Sequence, residues 1–234
     1  YYSVNDNWIL FGSEIKAIEL SKLIEFEPDI DSYLAYLRHL CVPADSTGNK
    51  NIKKLEPGQF IRIDKNGKIS KKIYWDPFTF SVNHDLNEKN VVEELDRLLN
   101  ESVEYRKVSD VEVGLFLSGG LDSSLLGKLM KQNSDSSLKA FNVDFEENFE
   151  GYRGELKEAR YASSEIGINL NEEKINFDNF KEIFDNYAYY QDDLVGDEVG
   201  IPLYFLGKSS RSSGIKVVLV GEGSDELFYG YDHW

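Results

Sequence analysis

A short apolar run, two glycines and a helical period follow one another without a break between residues 111 and 131, and that order limits what the chain can become. Residues 111–117 are too few for a stable helix and apolar enough for a buried strand. Ser118-Gly119-Gly120 is a turn, and residues 121–131 have helical spacing. A second such passage lies at 215–226, where a β-branched run ends in Gly221-Glu222-Gly223-Ser224-Asp225-Glu226. Between them fall a strand candidate at 138–145, a weaker one near 172–176, and helix candidates at 155–166, 177–190 and 201–212. Pro202 opens the last of these, where a missing N–H costs nothing. Strands alternating with helices predict an α/β fold with a parallel sheet and flanking helices. Ligands of such sheets sit outside the carboxyl ends of the strands, near the point where strand order reverses. Both glycine turns follow strands.

Before residue 90 the pattern is different. Residues 1–12 hold two β-prone runs around Asn5-Asp6-Asn7, a hairpin signal. A short helix is expected from Ser13, with Ile15, Ile18 and Leu20 apolar. A second, at 30–39, places Ile30, Tyr33, Leu34 and Leu37 on one face. Residues 43–51 read as loop. Residues 60–64 and 68–75 flank Asn66-Gly67, the pair favoured in a type I′ hairpin turn because both positions need positive φ. Residues 76–89 are polar and irregular and read as a domain linker. The helical period then starts with Val91, Val92, Leu95, Leu98, Leu99 and Val103.

Composition excludes several functions. Of 234 residues, 26 are Lys or Arg and 42 are Asp or Glu, a formal charge of −16. A chain this acidic is a poor general binder of nucleic acid or anionic membrane, though a local anion site is compatible with it. No apolar run approaches the roughly 18 residues of a membrane span. One cysteine, Cys41, excludes an internal disulfide framework and a Cys-rich zinc site. A cytoplasmic, reducing location fits. The first residue is Tyr and the only Met is Met130, so the sequence reads as an excerpt of a longer chain. Apolar surface exposed at the cuts would favour association, a homodimer being the simplest form.

Leu117-Ser118-Gly119-Gly120-Leu121-Asp122-Ser123-Ser124 suits an anion. Glycines let backbone N–H groups approach it, the helix start adds donors and partial positive charge, and Ser118, Ser123 and Ser124 add hydroxyls. The string is neither GxxxxGK[ST] nor GxGxxG. Asp122 within it would repel phosphate unless a divalent cation lay between them, and Mg²⁺ favours one or two carboxylates plus substrate phosphates. The second turn supplies the matching acids: Asp225 as a further metal carboxylate, and Glu222 as a group that can face the reacting substrate. The plainer alternative at each turn is a capped helix start, with Ser224 as N-cap and acids in the first turn.

Together the two turns resemble a known family. Residues 118–124 look like the pyrophosphatase-type loop of the ATP-pyrophosphatase superfamily, and GEGSDELFYGY at 221–231 is similar to glutamine-hydrolysing asparagine synthetases of the class B type. ILFGSEIKAI at 9–18 resembles the end of that family's glutaminase domain. Leu55-Glu56-Pro57-Gly58 with Tyr74-Trp75-Asp76 resembles its connector. The implied organisation is a glutaminase remnant at 1–25, a connector at 26–89, and an ATP-pyrophosphatase synthetase domain at 90–234 with an adenine nucleotide α-hydrolase-like fold. The resemblance implies ATP and Mg²⁺ as cofactors and small-molecule partners: aspartate or another carboxylate, and glutamine or ammonia. Ser118, Gly119, Gly120, Asp122 and Ser123 would hold pyrophosphate. Leu117, Val143, Val220 and Gly221 would line the nucleotide pocket, Asp122 and Asp225 would hold the metal, and Glu222 would serve acyl-adenylate formation and ammonia attack.

There are departures. Val220 stands where that family usually has Ser, Tyr229 where Gly is usual, and Asp193-Leu194 where Glu-Pro is common. Residues 167–173 lack the usual histidines. These changes suggest a divergent member that amidates another carboxylate, such as a sugar-linked one, or a non-catalytic nucleotide-binding paralogue. Cys41 lies in the connector and reads as inert packing rather than the glutamine-cleaving nucleophile. His39, His84 and His233 lack metal-ligand spacing. Tyr187, Tyr189 and Tyr190 read as core and edge, and Asp144, Glu146 and Glu147 as a solvated strand end.

Overall fold

A computed structural model describes every residue except 6, 83, 84, 86, 133–136, 147–153, 198 and 232–234. His84, Glu147 and His233 therefore lie outside the described residues. Two compact units divide the chain: residues 1–84 with 183–198, and residues 85–182 with 199–234.

The first unit is built from two hairpins and two helices. Strands β1 (Tyr2–Val4) and β2 (Ile9–Phe11) pair antiparallel, as the opening turn cluster predicts. Helix α1 (Ile15–Glu19) buries Ile15 and Ile18 against Ile52. Helix α2 (Ile30–His39) is N-capped by Asp29, whose carboxylate accepts the Ser32 N–H, and it stops at Leu40 in the left-handed region. Its apolar stripe stays exposed at Ile30, Leu34 and Leu37. Strands β3 (Gln59–Ile63) and β4 (Ile69–Ile73) form the second hairpin. Its turn is not type I′. Gly67 has φ of 79° but Asn66 does not enter positive φ, because the Asp64 carboxylate accepts the N–H groups of Asn66 and Lys68 and folds the loop around itself. A 3-10 turn lies at Pro77–Thr79, within the stretch expected as linker. Cys41 is exposed, so packing does not explain it.

The second unit is the α/β domain. Helix α3 (Glu88–Lys107) starts at Asn87, whose side chain accepts the Asn90 N–H. Then come β5 (Val113–Phe116), α4 (Leu121–Gln132), β6 (Lys139–Phe145), α5 (Leu156–Ile166), β7 (Asn169–Ile175), α6 (Phe177–Gln191), α7 (Gly200–Ser212), β8 (Val217–Leu219) and α8 (Ser224–Phe228). Helix α6 ends within the stretch assigned to the first unit. Strand β7 is longer and β8 shorter than the sequence suggests. The four strands are all parallel in the order β7-β6-β5-β8. The chain moves outward from β5 through β6 to β7 and then returns to the other side of β5. Strand order therefore reverses between β5 and β8. The core beneath them joins Leu115, Leu117, Ala140 and Ile168 to Leu129 and Met130 of α4 and to Ala159 and Ala162 of α5. Helix α4 lies close to the sheet because Gly127 has no side chain: a Cβ there would fall 2.8 Å from Leu115 Cδ2.

Candidate active site

Both glycine turns leave the carboxyl ends of adjacent strands at that reversal, the position where open α/β sheets bind ligands. Leu117 is fully buried and extends the ladder through its N–H to the Phe141 carbonyl at 2.9 Å. Its own carbonyl accepts the Asn142 side-chain amide at 2.9 Å. Gly119 then turns with φ of 90°. A Cβ at this glycine would lie 2.3 Å from Ala159 N and from Glu158 C, so the loop rests directly on the first turn of α5. The Ser118 and Ser123 hydroxyls are 2.8 Å apart, and Ser118 Oγ accepts the Gly120 N–H at 3.2 Å. The first bond of α4 is Ser124 N–H to the Gly120 carbonyl at 3.1 Å. The amides of Leu121, Asp122 and Ser123 thus precede the helical ladder, and this end of α4 carries partial positive charge.

The second turn meets the first. A Cβ on Gly221 would lie 3.0 Å from Ser123 N and 3.2 Å from Asp122 Cβ. Glycine here lets the end of β8 touch the start of α4. Asp122 and Asp225 stand in the first turns of α4 and α8. Gly223, at φ of 94°, is the N-cap of α8, which displaces the sequence reading of Ser224 as cap: Ser224 is already helical and makes no capping bond. The Asp225 carboxylate occupies the space a Gly230 Cβ would take, and its carbonyl accepts the Gly230 N–H at 3.0 Å. Glu222 is exposed beside these acids. Tyr231 donates to Glu226 Oε1 at 2.7 Å; that bond pushes the phenol up to about 12 and holds the carboxyl of Glu226 below its ordinary range. Val143 is half-buried in β6, and Val220 is exposed at the end of β8.

The structure thus joins Ser118, Gly119, Gly120, Asp122 and Ser123 to Gly221 around the start of α4. Among the described residues, no group of three or more His, Cys, Asp or Glu side chains is arranged to hold a metal by itself. Mg²⁺ typically takes one or two carboxylates plus substrate phosphates, and Asp122 and Asp225 stand on the two loops that meet here. Tyr229, where the resemblance expects Gly, adopts the left-handed conformation at φ of 56°, a backbone that suits glycine. Of the tyrosine cluster, Tyr189 and Tyr190 meet edge-on at 5.8 Å and are both exposed, so they form an edge rather than core. The sequence reading missed Asn142. A polar residue inside an apolar strand is its only signal; it is buried, with Oδ1 lacking a hydrogen-bond partner among the described residues.

This is an open parallel α/β domain whose two glycine turns meet at its switch point. The sequence model described as Asparagine synthase matches residues 94–234, and that described as Glutamine amidotransferase domain matches residues 1–75. The chain belongs to the asparagine synthase family. It is 33% identical over 232 residues to Asparagine synthetase [glutamine-hydrolyzing] 1 of Bacillus subtilis, covering 99% of this chain and 35% of that protein. It is also 33% identical over 238 residues to Putative asparagine synthetase [glutamine-hydrolyzing] 2 of Methanocaldococcus jannaschii, covering 99% and 44%. The chain therefore spans less than half the length of either relative. Among solved structures, the NH3-dependent NAD synthetase of Campylobacter jejuni aligns with a TM-score of 0.37 at 21% identity, covering 62% of this chain and 61% of that one.

Proposed function

We propose that this chain carries the ATP half-site of an AMP-forming amidoligase. Residues 1–25 belong to a glutaminase domain in this reading, 26–89 to a connector, and 90–234 to the synthetase domain. The observation that carries it is the approach of Gly221 to Asp122 and Ser123, which puts the anion-suited loop and the acidic turn at one strand reversal. Amides and hydroxyls of residues 118–123 hold the β- and γ-phosphates, and Leu117, Val143, Val220 and Gly221 border the nucleotide. Asp122 and Asp225 would hold Mg²⁺, which would supply positive charge against the leaving pyrophosphate. A carboxylate oxygen of the acceptor attacks the α-phosphorus, the bond to the β-phosphate oxygen breaks, and acyl-AMP and pyrophosphate result. Ammonia derived from glutamine then displaces AMP at the acyl carbon, and Glu222 takes the proton released from nitrogen. Aspartate is the acceptor in this reading.

The test is exchange of labelled pyrophosphate into ATP by the protein that carries this chain, with and without aspartate. Aspartate-dependent exchange, abolished by Asp225→Ala, is the expected result. Exchange that needs a different carboxylate would reassign the acceptor. No exchange with any carboxylate, despite measurable ATP binding, would refute the ligase reading.

A further inference from the structure

The two family matches and the two compact units do not coincide. Residues 183–198 lie inside the stretch matching Asparagine synthase, yet they pack in the unit formed by residues 1–84. Within that unit their later part, from Tyr189 to Gly196, is tied down repeatedly. Asp192 has φ of 67°, a left-handed conformation that Asp tolerates better than most residues, and its N–H closes α6 on the Ala188 carbonyl at 3.0 Å. Its carboxylate accepts the N–H of Ile15 and, at 3.0 Å, that of Lys16, and it pairs with Lys16 Nζ at 3.3 Å. Helix α1 has five residues and no capping bond from its own N-cap, Glu14. A helix this short has little stability of its own, so its cap comes from 176 residues away in sequence.

The neighbouring residues continue the attachment. Asp193, almost fully buried, accepts the Tyr1 hydroxyl at 2.9 Å and Lys54 Nζ at 3.0 Å. Burial, and then that carboxylate, push the Tyr1 phenol far above its ordinary range. Leu194 covers Gly48, Val195 bridges Cys41, and the Gly196 N–H donates to the Leu40 carbonyl at 2.7 Å. Lys16 Nζ donates to the Tyr189 carbonyl at 3.0 Å and lies 4.8 Å from the centre of the Tyr189 ring.

We propose that residues 187–197 are a strap that latches the synthase-matching part of the chain to the amidotransferase-matching part, with Asp192 and Asp193 as the latch. One residue, Asp192, both stops α6 and starts α1, so the strap and the first turn of α1 hold or loosen as one element. The chain runs on from the strap into α7 and β8 and so to the Gly221 turn.

Hydrogen exchange tests this without reference to nucleotide. Asp192→Gly keeps the left-handed stop of α6 and removes the carboxylate. The expected result is exchange at least about tenfold faster at residues 13–19 and 187–197 together, with β5 and β6 unchanged. Asp192→Asn keeps an acceptor oxygen and is expected to retain most of the protection. If Asp192→Gly does not fold, Lys54→Met, which removes only the ammonium facing Asp193, is expected to loosen the same two segments. Faster exchange at 13–19 with 187–197 still protected, or no change in either, would overturn the proposal.

Discussion

Replacing Gly119 with alanine should damage the fold in a way that separates backbone strain from collision. At φ of 90° any L-residue is strained, at a cost of about 1–2 kcal/mol. The added Cβ would also sit 2.3 Å from two backbone atoms of α5, Ala159 N and Glu158 C, which no rotamer change can clear. The loop or the helix must move, and overpacking of this kind costs about 1–3 kcal/mol. The sum is about 2–5 kcal/mol. Gly167, at φ of 75°, is the control: it ends α5 and has no atom within 4 Å of its Cβ position. Gly167→Ala carries only the strain, partly offset by a less flexible unfolded chain, for a net loss of about 1 kcal/mol. Urea unfolding of the two variants should place Gly119→Ala at least about 1 kcal/mol below Gly167→Ala, the smallest overpacking cost expected, with unchanged slope. Equal losses would refute the argument that the loop rests on α5.

Further outcomes follow from the same geometry. Tyr229→Gly should stabilise the protein by up to about 1 kcal/mol, because glycine removes the left-handed strain at an exposed position; thermal unfolding reads it. Gly221→Ala, with no positive φ to strain, should leave stability within about 1 kcal/mol yet weaken ATP binding about tenfold or more by pushing β8 off the start of α4. Desolvation, with Glu158 and Asp144 nearby, raises the carboxyl of Glu155. A raised carboxyl makes the folded state bind its proton more readily, so the penalty is full above the folded value and disappears below the ordinary Glu value of about 4.3. Glu155→Gln should therefore stabilise at pH 8, with the gain vanishing as pH falls toward 4, as denaturation at stepped pH would show.

Much of the second unit was legible because a parallel sheet writes its strands as apolar runs and its ligand loops as glycine turns. The run into Ser118 and the run into Gly221 marked β5, β8 and the glycine turns that follow them. The reversal of strand order came only from the structure, since pairing is a long-range property. The Asn66-Gly67 hairpin was read correctly as a hairpin and wrongly as type I′, because Asp64, two residues earlier, bonds the turn amides itself. Ser224 lost its capping role to Gly223, whose positive φ sets the entry to α8. Asp192 and Asp193 could not be read as a latch at all. Their partners, Tyr1, Ile15, Lys16 and Lys54, lie more than 130 residues away, and local pattern carries no trace of that distance.

The measurement that bears most directly on the central claim is calorimetric titration of the chain with ATP and Mg²⁺, beside Asp122→Ala and Asp225→Ala. A two-loop site predicts saturable binding that needs the metal and is weakened by both substitutions. Binding of equal strength in either variant, or binding indifferent to Mg²⁺, would contradict it.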